Sequence, residues 1–95
     1  MVEEFEKDCE HTAQVIIDDL DAGEKWSSFL LYDVNAELFD KHFIPKVAKY
    51  LGGIVGEDET IIYKDITISF SFTVSNLISG YFEDLEVSAY FTRTS

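Results

Sequence analysis

The stretch from Ile66 to Ser75 constrains this chain most. Ile66, Ile68, Phe70, Phe72 and Val74 alternate with Thr67, Ser69, Ser71, Thr73 and Ser75. Successive side chains of an extended chain point to opposite faces, so an unbroken period of two over ten residues predicts a β-strand with an apolar face and a hydroxyl face. Leu85, Val87, Ala89 and Phe91 alternate with Glu86, Ser88, Tyr90 and Thr92 in the same way. This predicts a second strand, antiparallel to the first across a connection read as a loop or short turn over Asn76–Phe82. A sheet with one apolar face needs something to cover it.

The cover is expected to be helical. Val2, Phe5, Cys9, Ala13, Ile16 and Leu20 recur at steps of three and four, which is one face of an α-helix. Glu3, Glu4 and Glu6 suit the positive end of its dipole, and Gly23 is a stop signal. A hairpin of Gln14–Leu20 with Trp26–Tyr32 competes with this reading, but the stripe persists over five turns and favours the helix. Trp26–Val34, with the run Phe29-Leu30-Leu31-Tyr32, reads as a strand. Asn35 is a suitable N-cap for a second helix. Leu38, Phe39, His42 and Phe43 form one face of it, with a kink or restart expected at Pro45. Ile44, Val47, Ala48 and Leu51 continue the stripe until Gly52-Gly53. Thr60–Lys64 is expected to pair with a neighbouring element. The fold class predicted is α+β, with two helices packed on one face of a small antiparallel sheet. Residues 1–95 are read as a single acidic α+β domain, too short for two independent cores.

Charge excludes several functions. The chain has 19 acidic against 7 basic residues and a net charge of -12, so it lacks the Lys and Arg needed to neutralise nucleic-acid phosphates. The same balance argues against an anionic membrane surface. At 46 % hydrophobic residues it is too apolar for a disordered acidic tail. The lone Cys9 cannot form an internal disulfide, which suits a reducing, cytoplasmic setting. Its place on the apolar stripe makes it a core thiol.

No residue pattern names a reaction. Gly52-Gly53-Ile54-Val55-Gly56 follows a helix and precedes three carboxylates, the reverse of what a phosphate loop requires. Asp18, Asp19, Asp21 and Glu24 do not fall in EF-hand register. Cys9, His11 and His42 are too few and badly spaced for structural zinc. There is no Gly-x-Ser-x-Gly turn. A non-enzymatic protein without metal or cofactor is the expectation.

The charge itself is the functional signal. Residues 1–25 hold nine carboxylates against Lys7 and Lys25, more than half of the excess. On a helix, Glu3, Glu6, Glu10, Asp18 and Asp21 fall along one stripe. Glu57, Asp58 and Glu59 form a second cluster, and Glu83, Asp84 and Glu86 a third. A helix rises about 5.4 Å per turn, comparable to the spacing of backbone phosphates, so such a surface suits the basic groove of a nucleic-acid-binding protein or nuclease. In size and charge the chain resembles the phage-encoded DNA-mimic inhibitors, the anti-restriction and anti-CRISPR proteins. The resemblance rests on no motif and transfers no residue role. Two other classes share these features: an immunity protein or antitoxin masking a toxic nuclease, and an accessory protein that forms a homodimer through the uncharged row Thr67, Ser69, Ser71, Thr73, Ser75 or an exposed edge.

Overall fold

The structure, a computed structural model, describes residues 2–93, with the side chain of Val2 and residues 1, 94 and 95 outside the description. Helix α1 (Val2–Asp21) leads into strand β1 (Trp26–Asn35), helix α2 (Ala36–Leu51), and strands β2 (Ile54–Val55), β3 (Ile61–Tyr63), β4 (Ile66–Val74), β5 (Leu77–Ile78) and β6 (Tyr81–Arg93). All strands belong to one antiparallel sheet in the order β1-β6-β4-β3-β2, with β5 paired to β6. Both helices cover the same face, as the α+β reading expected.

The core lies where the patterns placed it. From α1 come Phe5, Cys9, Ala13 and Ile16; from α2, Phe43, Val47, Ala48 and Leu51; from the sheet, Ile61, Ile66, Ile68, Leu85, Val87 and Ala89. Phenylalanine rings join the layers. Phe43 meets Phe5 edge-on at 6.5 Å between centroids, and Phe39 meets Phe72 at 4.8 Å. Edge-to-face geometry sets the positive ring edge against a negative face, adding about 1 kcal/mol per pair beyond burial.

The termini of α2 follow local rules. Asn35 holds extended backbone and its side chain accepts from the Leu38 N–H at 2.9 Å. Gly52 closes the helix in the left-handed conformation, φ 80°, which costs glycine no Cβ clash. Of the kink or restart expected at Pro45, the restart does not occur: α2 runs through it as one helix. The proline removes one N–H and leaves the Lys41 carbonyl without its usual helical partner, but Ile44 and Val47 on either side are buried and keep both halves of α2 against the core.

Of the two readings of Asn76–Phe82, a loop or a short turn, the structure has the turn, flanked by paired strand residues. Leu77 pairs with Phe82 and Ile78 with Tyr81, in the register already set by β4 and β6. Ser79 and Gly80 both have positive φ, 53° and 82°, as a two-residue type I′ turn requires. Strands β4, β5 and β6 are therefore one long hairpin. In β1, Asp33 has φ 53°. Before it, the inward residues are Ser27, Phe29 and Leu31; after it, Val34 is buried, so this one residue reverses the pleat.

Candidate functional site

The α1 helix presents Glu3, Glu4, Lys7, Glu10, His11, Gln14, Asp18 and Asp21 to water. The opposite side is held by the core. Four of the five carboxylates expected from this helix, Glu3, Glu10, Asp18 and Asp21, stand on that exposed side, joined by Glu4. Lys7 is the one cation there among the described residues, and Gln14 donates to Asp18 at 2.9 Å.

Glu6 departs from the expected stripe. It lies at the flank where α1 meets α2, ion-paired to Lys46 and accepting a 2.6 Å hydrogen bond from the Tyr50 hydroxyl. The Lys46 ammonium, followed by the Tyr50 hydroxyl, holds its carboxyl below the usual carboxylate range. In return Glu6 pushes the Tyr50 phenol up to about 12. Glu6 is a tie between helices, not a free carboxylate. With it withdrawn, the step from Glu3 to Glu10 is seven residues, or roughly 10 Å of rise. The once-per-turn repeat read from the sequence does not hold along the helix.

The other clusters are separated from α1. Glu57, Asp58 and Glu59 form an exposed 3-10 turn between β2 and β3, at the opposite edge of the sheet from β1. Asp84 and Glu86 pair with Tyr32 and Leu30 and project from the uncovered face, the side away from both helices. Glu83 is exposed beside them. The carboxylates thus occupy three regions, and the sheet stands between α1 and the Asp84–Glu86 pair.

Other titratable groups are structural. Cys9 is fully buried, and burial first, then Glu6 and Asp8, pushes its thiol up to about 12. Burial also raises the Asp8 carboxyl above its usual value. Asp19 accepts from the buried hydroxyl of Ser27, fastening the end of α1 to β1. His42, expected on the packed face of α2, is exposed. No group of three or more His, Cys, Asp or Glu side chains among the described residues is arranged to hold a metal.

Two apolar features escaped the sequence reading. A cleft of about 340 Å³ opens beside α2, lined by Phe39, Phe43, Pro45, Val55 and Phe72, with the exposed side chains of Asp40, Lys41 and Glu59 around it. On the uncovered sheet face the row Ser69, Ser71, Thr73 of β4 continues through Ser88 of β6 to Ser28 of β1, but it is flanked by exposed Trp26, Leu30, Tyr32 and Tyr90. The Phe29-Leu30-Leu31-Tyr32 run is the strand expected, but its alternate members Leu30 and Tyr32 face water.

No helix among the described residues is long and apolar enough to cross a membrane. Comparison with protein-family models, curated proteins and solved structures returned no match.

Proposed function

We propose that this protein is a non-enzymatic acidic inhibitor, of the anti-restriction or anti-CRISPR kind, that binds a basic nucleic-acid-binding protein or nuclease in place of DNA or RNA. The observation that carries the reading is the water-facing side of α1: Glu3, Glu4, Glu10, Asp18 and Asp21 against the single cation Lys7, on a helix whose other side is fixed in the core. Ordering costs are met in the folded chain before binding, so association loses little side-chain and backbone entropy. The net charge of -12 steers a basic partner from a distance and speeds encounter. Glu57, Asp58 and Glu59 serve as a second contact; Glu83, Asp84 and Glu86 face elsewhere and contribute through the long-range field. The partner is a cytoplasmic protein, neither nucleic acid itself nor a membrane.

The test is capture of binding proteins from host lysate at low and high salt, followed by competition with duplex DNA. Recovery of a basic nucleic-acid enzyme that falls at least about tenfold with salt and is displaced by DNA supports the proposal. The triple variant Glu3→Lys, Glu10→Lys, Asp18→Lys is expected to lose capture, whereas Asp84→Lys with Glu86→Lys retains most of it. Recovery of no basic protein at any salt sinks the proposal. A single nuclease neutralised one-to-one, with no effect of DNA, would recast the protein as an immunity protein.

A further inference from the structure

Strand β1 ends the sheet, and its outer edge is unprotected. The Phe91 N–H donates to the Lys25 carbonyl at 3.0 Å. This sets the phase of an antiparallel ladder in which odd residues of β1 bond β6 and even residues aim their N–H and C=O groups outward. Trp26, Ser28, Leu30 and Tyr32 therefore offer a row of backbone donors and acceptors with no strand beside it. Natural edges are usually blunted by lysine, proline, a bulge or shortness. Residues 26–32 read Trp-Ser-Ser-Phe-Leu-Leu-Tyr, with no charge and no proline, and the kink at Asp33 comes only after them.

We propose that this edge pairs with the same edge of a second copy, making one continuous sheet through an antiparallel β1–β1′ contact centred on Phe29. The outward groups of even residues must meet, and the two chains must show the same face. A two-fold at Phe29 satisfies both: Trp26 lies opposite Tyr32 of the second copy, and Ser28 opposite Leu30. The next pair outward is Lys25 opposite Asp33, an attraction repeated at each end. The charges flanking residues 26–32 thus favour pairing with the reversed copy. A two-fold at Ser28 or Leu30 loses that match, setting Lys25 opposite Leu31 or Asn35.

Size sets the strength. Trp26, Leu30 and Tyr32 are 54 %, 48 % and 60 % exposed, so each aromatic leaves on the order of 100 Å² to bury. With Leu30 and the backbone edge, the contact is about 800 Å² over both copies, below the standard size of stable interfaces. The dimer is therefore weak and concentration-dependent. The two-fold stands perpendicular to the sheet, so both α1 helices lie on one face, and their carboxylates repel. Salt should tighten this dimer, whereas it should loosen capture of a basic partner, so failure of either proposal is recognisable apart from the other.

Sedimentation of the full chain from about 10 µM to about 1 mM, at low and high salt, tests the pairing. The expected result is an average mass rising from 10.9 kDa toward twice that value, at lower concentration in high salt. Leu30→Lys should shift the transition at least tenfold upward in concentration; its exposed position lets it fold, which circular dichroism checks. Ser71→Lys, on the same face but in β4, should leave the transition unmoved. Amide exchange supplies an independent readout: Ser28, Leu30 and Tyr32 should slow with concentration, while Phe29 and Leu31, already bonded to β6, should not. Monomeric mass throughout overturns the proposal. So does a dimer that survives Leu30→Lys or is lost in Ser71→Lys, or one that leaves the even amides of β1 unprotected.

Discussion

Glu6 shows how one carboxylate can belong to the fold while its neighbours belong to the surface. Its carboxyl sits below the ordinary value of 4.5 because Lys46 and Tyr50 favour its charged form. A group with a depressed folded pKa stabilises the fold above its unfolded value and loses that contribution as pH falls through the folded one. Tyr50 has the opposite sign: raised from 10.0 to about 12, it contributes fully below 10 and loses its contribution as pH climbs toward 12. Glu6→Gln should therefore melt a few degrees below wild type at pH 7, with the gap closing as pH falls below the ordinary value of 4.5 and through the lower folded one. Tyr50→Phe should show its deficit at neutral pH and lose it in strong alkali. Melting curves of the three proteins across pH check this; a gap for Glu6→Gln that stays constant from neutral pH into strong acid would remove the carboxylate from the account. Nothing in the sequence linked Glu6 to Lys46, because the partners are 40 residues apart. Charge alone put Glu6 on the same stripe as Glu3 and Glu10.

Elements with a long pattern were legible, and short ones were not. The apolar steps of α1 from Phe5 onward and the alternation of β4 and β6 follow burial, except that Val74 at the end of β4 is exposed, and Val2 lies outside the described side chains. Strands β2 and β5 have two residues each, too few to carry a period. β5 exists because Ser79-Gly80 turns the chain within a register set elsewhere. The exposure of β1 was hidden for another reason: a strand covered on one face only should alternate, but Leu30 and Tyr32 place apolar groups on its open face. The acidic clusters were visible as composition, yet their division between two faces depends on strand register, which composition does not contain. The join between β1 and α2 was readable in Asn35, which ends the strand opposite Tyr81 and caps the helix. Asn35→Ala should cost about 1 kcal/mol, a fall of roughly 4–8 °C in melting temperature, and Asn35→Asp should recover most of it. An unchanged melt for the alanine variant would mean that water caps the Leu38 amide equally well.

At the scale of the whole molecule, a charge of -12 on 95 residues works against compactness, because the carboxylates repel at distances comparable to the screening length of about 10 Å in 0.1 M salt. Few ion pairs relieve it: Lys46 with Glu6, Lys41 with Glu37 and Arg93 with Asp65 among the described residues, the last two exposed and so worth little. Thermal melts at micromolar concentration, where self-pairing is absent, should rise by several degrees between about 20 mM and about 500 mM sodium chloride. Equal melting temperatures would show the surface charges too dispersed to strain the fold, and would weaken the case that their density serves a partner.

The sheet order carries a consequence for how the chain reaches this state. Strand β6 lies between β1 and β4, yet it comes last in chain order among the described elements. Until residues 81–93 exist, β1 has no strand to join and the β4 side has no link to it. As synthesis proceeds, α1, β1 and α2 emerge before their strand partner; closure of the β4–β6 hairpin is local, whereas pairing of β1 spans the chain from Trp26 to Tyr90. Non-local pairings of this kind are slow because loop closure comes before any contact rewards it. The outer strand of the finished sheet thus stays unpaired on both sides until β6 has emerged.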